Sequence, residues 1–146
     1  IPVEVICRNI ATGSLVRDTT LKEGMVLDPP LVEFNLKNDE LDDPLLTDDR
    51  VSLMGYDPHI FKQRATELNL HFKKIFAKMG IDIVDFKVEY GYDSNGLLYL
   101  ADEISPDNMR LWKKGTKERF DKDLFRKNEG DIVEAYNYIL DNLRKL

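Results

Sequence analysis

At 146 residues, with 42% hydrophobic side chains and no low-complexity tract, the chain has the length of one modest domain able to bury its own core. A net charge of −6 argues against a general nucleic-acid or anionic-membrane surface, so basic residues that matter must be clustered. One cysteine, Cys7, excludes an internal disulfide framework and a cysteine-rich zinc site, and no apolar run approaches the roughly 20 residues that span a bilayer. A cytoplasmic protein is the expectation.

Residues 1–8 read as a strand already under way, without an initiator methionine, as in a fragment of a longer protein; Cys7 is expected within that strand. Ala11-Thr12-Gly13-Ser14 follows, where Gly13 permits unusual backbone angles and Ser14 can cap a short helix. With Arg8 before it and Arg17 after it, the turn suits either an anion or ordinary capping. Asp28-Pro29-Pro30 should stop local structure, and residues 31–37 then alternate as a second strand. The acidic loop 38–44 lacks the glycine and terminal glutamate of a calcium-sensor loop and reads as solvated.

The spacing predicts a helix over 57–80, with Asp57 as N-cap, Pro58 in the first turn and Gly80 as the stop. Phe61, Ala65, Leu68, Phe72, Ile75 and Met79 share one face and are expected in the core. His59 and His71 fit no zinc-helix pattern and read as surface or structural residues.

The most informative stretch is Val84-Asp85-Phe86-Lys87-Val88-Glu89. Alternate residues of a strand share a face, so Asp85, Lys87 and Glu89 project together while Val84, Phe86 and Val88 project toward a core. Asn95-Gly96 signals a hairpin that folds residues 97–103 back and brings Asp102 toward the charged face. Gathered carboxylates repel unless a cation sits between them. A divalent metal flanked by a lysine is one reading, and a solvent-facing hairpin with cross-strand salt bridges is the other. Residues 121–126 form a short charged connector, and a last helix over 131–146 should bury Val133, Tyr136, Leu140 and Leu143.

Hairpins rather than regular βαβ spacing point to an α+β domain with a mainly antiparallel sheet and packed helices, one domain over 1–146. No Walker A, dinucleotide fingerprint, nucleophile elbow or zinc pattern is present, so any nucleotide is not gripped by a P-loop in this chain.

Six ordered blocks carry a resemblance to the SAICAR synthetases (phosphoribosylaminoimidazole-succinocarboxamide synthases) of purine biosynthesis. They are Pro2-Val3-Glu4-Val5 through Arg8-Asn9, Ala11-Thr12-Gly13-Ser14-Leu15, Pro29-Pro30 with Lys37-Asn38-Asp39 to Asp43-Pro44, Val84 through Glu89, Asp102-Glu103-Ile104-Ser105-Pro106-Asp107 to Arg110-Leu111-Trp112, and Asp121-Lys122-Asp123 to Phe125-Arg126. The resemblance implies an ATP-dependent ligase that joins L-aspartate to the carboxylate of carboxyaminoimidazole ribotide through an acyl phosphate, releasing ADP and phosphate. It implies ATP and Mg2+, with Glu89 and Asp102 as metal ligands and Lys87 and Asp85 as catalytic residues. It further implies substrate contacts from Arg8, Ser14, Lys37, Asp43, Arg110, Lys122 and Arg126, with Arg8, Ser14 and Arg110 on the ribotide phosphate. If Arg110 has no ligand role, a salt bridge to Asp107 is its expected structural use.

Asp18, Lys113 and Asn128-Glu129-Gly130 depart from the family pattern. Family members also carry an N-terminal ATP-covering lobe, so the resemblance implies a C-terminal domain that turns over little alone and a homo-oligomeric enzyme. A non-catalytic module for a ribotide or phosphate is the alternative, and an acidic interaction domain a third.

Overall fold

Six strands make one antiparallel sheet in a computed structural model that describes residues 1–121, 123–126 and 130–146, the side chains of 125 and 126 excepted. The strands are β1 (Val3–Ile10), β2 (Val26–Leu36), β3 (Leu45–Leu46), β4 (Ile81–Tyr92), β5 (Leu98–Ala101) and β6 (Met109–Lys113). They run in the order β3-β2-β1-β4-β5, with β6 also pairing β4. The helices are α1 (Ser14–Arg17), α2 (Asp48–Leu53), α3 (Pro58–Lys78), α4 (Asp123–Arg126) and α5 (Ile132–Leu143). The expected α+β class with a mainly antiparallel sheet is what forms.

Period-two alternation divides the sheet into an apolar and a polar face. In β1, Val3, Val5 and Cys7 join the core with Phe34 of β2 and Phe86, Val88 and Tyr90 of β4. The long helix α3 supplies Phe61, Ala65, Phe72 and Phe76 to the same cluster. Phe61 stacks on Tyr90 at 5.7 Å and meets Phe34 edge-on at 6.3 Å, while Phe72 stands edge-on to Phe86 at 5.0 Å. Each such aromatic removes enough apolar surface from water to contribute about 1.5–3 kcal/mol.

Asp57 caps α3 as expected, its carboxylate accepting the His59 N–H at 2.8 Å, and Gly80 takes φ +68° just past the end. Of the expected face, Phe61, Ala65, Phe72 and Met79 are buried and Leu68 and Ile75 partly so, and Phe76 and Asn69 are buried as well; Asn69 exchanges two amide hydrogen bonds with Asn9 at 2.8 Å.

Four local expectations are corrected. Asp28-Pro29-Pro30 does not interrupt structure: β2 runs through it from Val26, and the pairing with β1 shifts register between Arg8 and Ile10, which absorbs residues that cannot donate to a ladder. Ser14 does not cap a helix; Gly13, at φ +60°, precedes α1 without a side-chain cap, and the Ser14 hydroxyl is engaged elsewhere. Strand β5 stops at Ala101, because Asp102 turns to φ +63°. Helix α5 buries Ala135 and Ile139, leaving Val133, Leu140 and Leu143 exposed, so its inward face is rotated from the one expected. No described helix is long and apolar enough to cross a membrane.

Candidate functional site

The polar face of the sheet lies opposite α3. Register places Glu4, Ile6 and Arg8 of β1 directly across from Glu89, Lys87 and Asp85 of β4, and across from Asn35, Glu33 and Leu31 of β2. Beyond β4, Arg110 of β6 faces Asp85. A bulge in β4 between Ile83 and Asp85 sets this alignment. Ile83 and Phe86 both reach the core across it, and Asp85, Lys87 and Glu89 share the polar face. Val84, the bulged residue, is buried but outside the main cluster.

At one end of this face Asp85 Oδ2 accepts from two arginines, Arg8 Nη1 at 3.2 Å and Arg110 Nη1 at 2.9 Å. Arg8 also donates from Nε to Glu33 at 2.6 Å and from Nη2 to Ser14 Oγ at 2.9 Å. Only 3% exposed, Arg8 braces Ser14 from beneath more than it offers a free fork. Arg110 donates from Nε to Asp123 at 2.9 Å and is the more open of the two cations. Its structural partners are thus Asp85 and Asp123 rather than Asp107, which accepts from the Tyr136 hydroxyl. Burial alone would pull the Arg110 guanidinium down, but Asp85 and Asp123 more than offset it, and it titrates above an ordinary arginine.

Gly13 is required where it stands. A Cβ there would come within 2.9 Å of Arg110 Nη2, and its φ lies in the left-handed region. The Gly13-Ser14 turn therefore closes over both guanidiniums.

At the other end the sheet register sets Glu4 beside Glu89, two carboxylates that would repel. Lys87 Nζ reaches Glu4 at 2.5 Å and Lys37 Nζ reaches Glu89 at 2.6 Å. The hydrogen bond to Glu89 lifts the Lys37 ammonium above the ordinary lysine range, and Asp102 and Glu4 add to it. Asp102 follows Ala101, which pairs with Glu89, and is exposed. No cluster of three or more His, Cys, Asp or Glu forms a metal cage among the described residues. Two carboxylates on an open edge fit Mg2+ that keeps water and phosphate ligands, since this ion rarely takes an all-protein shell.

Two clefts connect these groups. One of about 620 Å³ is lined by Glu4, Arg8, Ser14, Asp85, Lys87 and Arg110 among others. A second of about 1020 Å³ includes Arg17, Asp18, Asp42 and Asp43, and both clefts share Ser14 and Asn35. Because Ser14 lines both, a ligand with an anion at Ser14 can extend into either cleft.

The family profile for SAICAR synthetase matches residues 1–143. The chain belongs to the SAICAR synthetase family. The phosphoribosylaminoimidazole-succinocarboxamide synthase of Anoxybacillus flavithermus is 47% identical over 98% of this chain and 61% of its own length. That of Staphylococcus epidermidis is 47% identical over 100% of this chain and 64% of its own. Among solved structures, a SAICAR synthetase in complex with ADP superposes with a TM-score of 0.92 at 42% identity, covering 100% of this chain and 64% of that one. The SAICAR synthetase of Pyrococcus horikoshii gives 0.88 at 41% identity, over 100% and 65%. The chain thus spans a little under two thirds of the length of these family members.

Of the residues expected from sequence, Arg8, Ser14, Asp85, Lys87 and Arg110 line one cleft; Lys37, Glu89 and Asp102 gather at its outer edge. Asp43 lines the neighbouring cleft, one carboxylate oxygen accepting the Asn38 N–H at 2.8 Å. Lys122 and the side chain of Arg126 lie outside the described residues. Arg17 does not join the anion site. It forms an exposed two-point pair with Asp18 at 2.7 and 3.0 Å, so the family departure at Asp18 neutralises a charge at the cleft edge. Lys113 pairs with Glu118 at 3.1 Å, and Asn128-Glu129 lies outside the described residues.

Sequence reasoning missed Glu4, Glu33, Asn35, Asp121 and Asp123. The period of β1, applied from Arg8, would have set Glu4 on the same face; Asp121 and Asp123 fall in a block of the family resemblance but carry no periodic signal, because they act through a turn. Cys7 is no nucleophile: burial pushes its thiol up to about 12, with Asp85 adding to the shift.

Proposed function

We propose that residues 1–146 form the ribotide- and metal-binding domain of an ATP-dependent ligase that joins L-aspartate to carboxyaminoimidazole ribotide. The observation that carries this reading is the single polar sheet face, with Ser14 and two arginines at one end and Glu89, Asp102 and two lysines at the other. Amide formation from a carboxylate needs its oxygen converted to a leaving group, so one site must hold the acid, a phosphate donor and an amine together.

In this reading Arg110 and Ser14 grip the ribotide phosphate, with Arg8 holding the Ser14 hydroxyl in place. Lys87, fixed by Glu4, faces the charge that develops as the ribotide carboxylate attacks phosphorus. Asp85 orients both arginines. Glu89 and Asp102 would hold Mg2+, which when bound neutralises the phosphate oxygens of ATP. Asp43 accepts from the imidazole amino group or the ribose, and Lys122 and Arg126 are further substrate-binding cations in this reading. The aspartate amine then displaces phosphate from the acyl phosphate, and the family's homo-oligomeric, cytoplasmic habit is proposed for the longer enzyme.

A ribotide-binding module without turnover is the second reading, favoured by the Arg17–Asp18 pair that removes a cation from the cleft edge. Lys87, Glu89 and Asp102 weigh against it, since binding alone needs none of them.

Because the match spans 61–64% of the curated relatives, binding is the property to test on this chain. Calorimetric titration with carboxyaminoimidazole ribotide in magnesium should saturate, and Arg110→Ala should weaken it by about ten- to hundred-fold, the loss of a charged hydrogen bond. Equal affinity in the variant would remove Arg110 from the phosphate site.

A further inference from the structure

The charged connector 121–126 had no role beyond Lys122 and Arg126, yet its two aspartates are buried, Asp121 at 0% and Asp123 at 8% exposure. Their hydrogen bonds form a chain that ends at the ligand cleft. Asp121 Oδ2 accepts the Leu111 N–H at 2.6 Å, fastening the connector to the strand residue next to Arg110. Asp121 Oδ1 accepts the Asp123 N–H at 2.8 Å, which sets the start of α4. Asp123 Oδ2 then accepts from Arg110 Nε at 2.9 Å.

A strand by itself leaves an arginine four flexible torsions, and an unanchored guanidinium loses that freedom each time it binds. Here Nε is held by Asp123, Nη1 by Asp85, and Nη2 lies against the Gly13 turn. Asp85 divides the same Oδ2 between Arg110 and Arg8, so Asp123 gives Arg110 a carboxylate not shared with Arg8. We propose that Asp123 is a positioning residue for Arg110, clamping its guanidinium so that Nη2 faces the cleft, and that Asp121 builds the turn presenting it.

The inference rests on the reading of Arg110 as a ribotide-phosphate ligand. It has a sign that ordinary electrostatics does not share. Removing a negative charge near an anion site should tighten anion binding; removing a clamp should weaken it.

The test is calorimetric titration of carboxyaminoimidazole ribotide into the parent chain, Asp123→Asn, Arg110→Lys and the double variant. Asp123→Asn, which keeps the shape and loses the charge, should bind about ten-fold more weakly. It should have no further effect beside Arg110→Lys, which has no Nε–H to clamp. Affinity equal to or above the parent's, or losses that simply add, would overturn the proposal.

The clamp is also read without ligand, from exchange of the Arg110 Nε–H resonance, assigned by its loss in Arg110→Lys. Protection in the parent that disappears in Asp123→Asn supports it, and unchanged protection overturns it whatever binds. A protected parent that takes up no ribotide would leave the clamp standing and sink the ribotide reading instead.

Discussion

Gly13 and Asp121 are the residues whose chemistry is most constrained. Alanine at position 13 meets both the left-handed φ and the 2.9 Å approach to Arg110 Nη2. Gly13→Ala should therefore lower stability by about 1–2 kcal/mol and weaken ribotide binding together, measured by denaturant unfolding and calorimetry on the same variant. Asp121 is a buried carboxyl that burial lifts to about 6, against the pull of two backbone N–H donors. Its folded value exceeds the unfolded one, so the folded state binds more protons between about pH 4 and 6. Stability from this group is complete below that window and falls as pH rises through it, by about 1.4 kcal/mol per pKa unit of difference. Asp121→Asn should flatten that segment of the stability profile. Below that window it should be less stable than the parent by about 1–3 kcal/mol, because its amide NH2 would face a backbone N–H, and the two profiles should converge as pH rises through the window. A parent profile that rises between pH 4 and 6 would contradict the assignment.

At the scale of elements, α3 holds the polar face in position by filling its back. Phe61→Ala removes a ring packed on Tyr90 and Phe34 and should cost about 3–5 kcal/mol in urea unfolding, whereas Asp57→Ala at the cap should cost about 1. Helix α3 was legible in the sequence because twenty-odd residues of one period leave little freedom in phase. Helix α5 was not. Both of its faces carry apolar residues, so Val133, Tyr136, Leu140 and Leu143 matched the template as well as Ala135 and Ile139, and packing chose the smaller pair. Strand β2 passed through Pro29 and Pro30 for a related reason, since local breakers yield when the neighbouring strand pairs on either side of an irregularity. The charged alternation of β4 was readable because the bulge precedes Asp85 and leaves the spacing of Asp85, Lys87 and Glu89 intact.

Over the whole molecule, the candidate site is a charge lattice spread across four strands. Single-sequence reading found Asp85, Lys87, Glu89 and Arg110 with the cations Arg8 and Lys37 that pair with Asp85 and Glu89, but not the carboxylates that neutralise Lys87, Arg8 and Arg110 from other elements. Glu4, Glu33 and Asp123 became visible only when strand register paired them with Lys87, Arg8 and Arg110. Lattice members should respond differently by position. Glu89→Gln with Asp102→Asn should abolish magnesium-dependent heat while leaving ribotide binding within about three-fold, because these carboxylates sit apart from the phosphate end.

The most direct test of the account is a crystal structure of this chain with carboxyaminoimidazole ribotide. The ribotide phosphate should lie within about 3 Å of Arg110 Nη2 and Ser14 Oγ, with its imidazole carboxylate toward Lys87. A phosphate seated at Lys37 and Asp102, or outside the polar sheet face altogether, would contradict it.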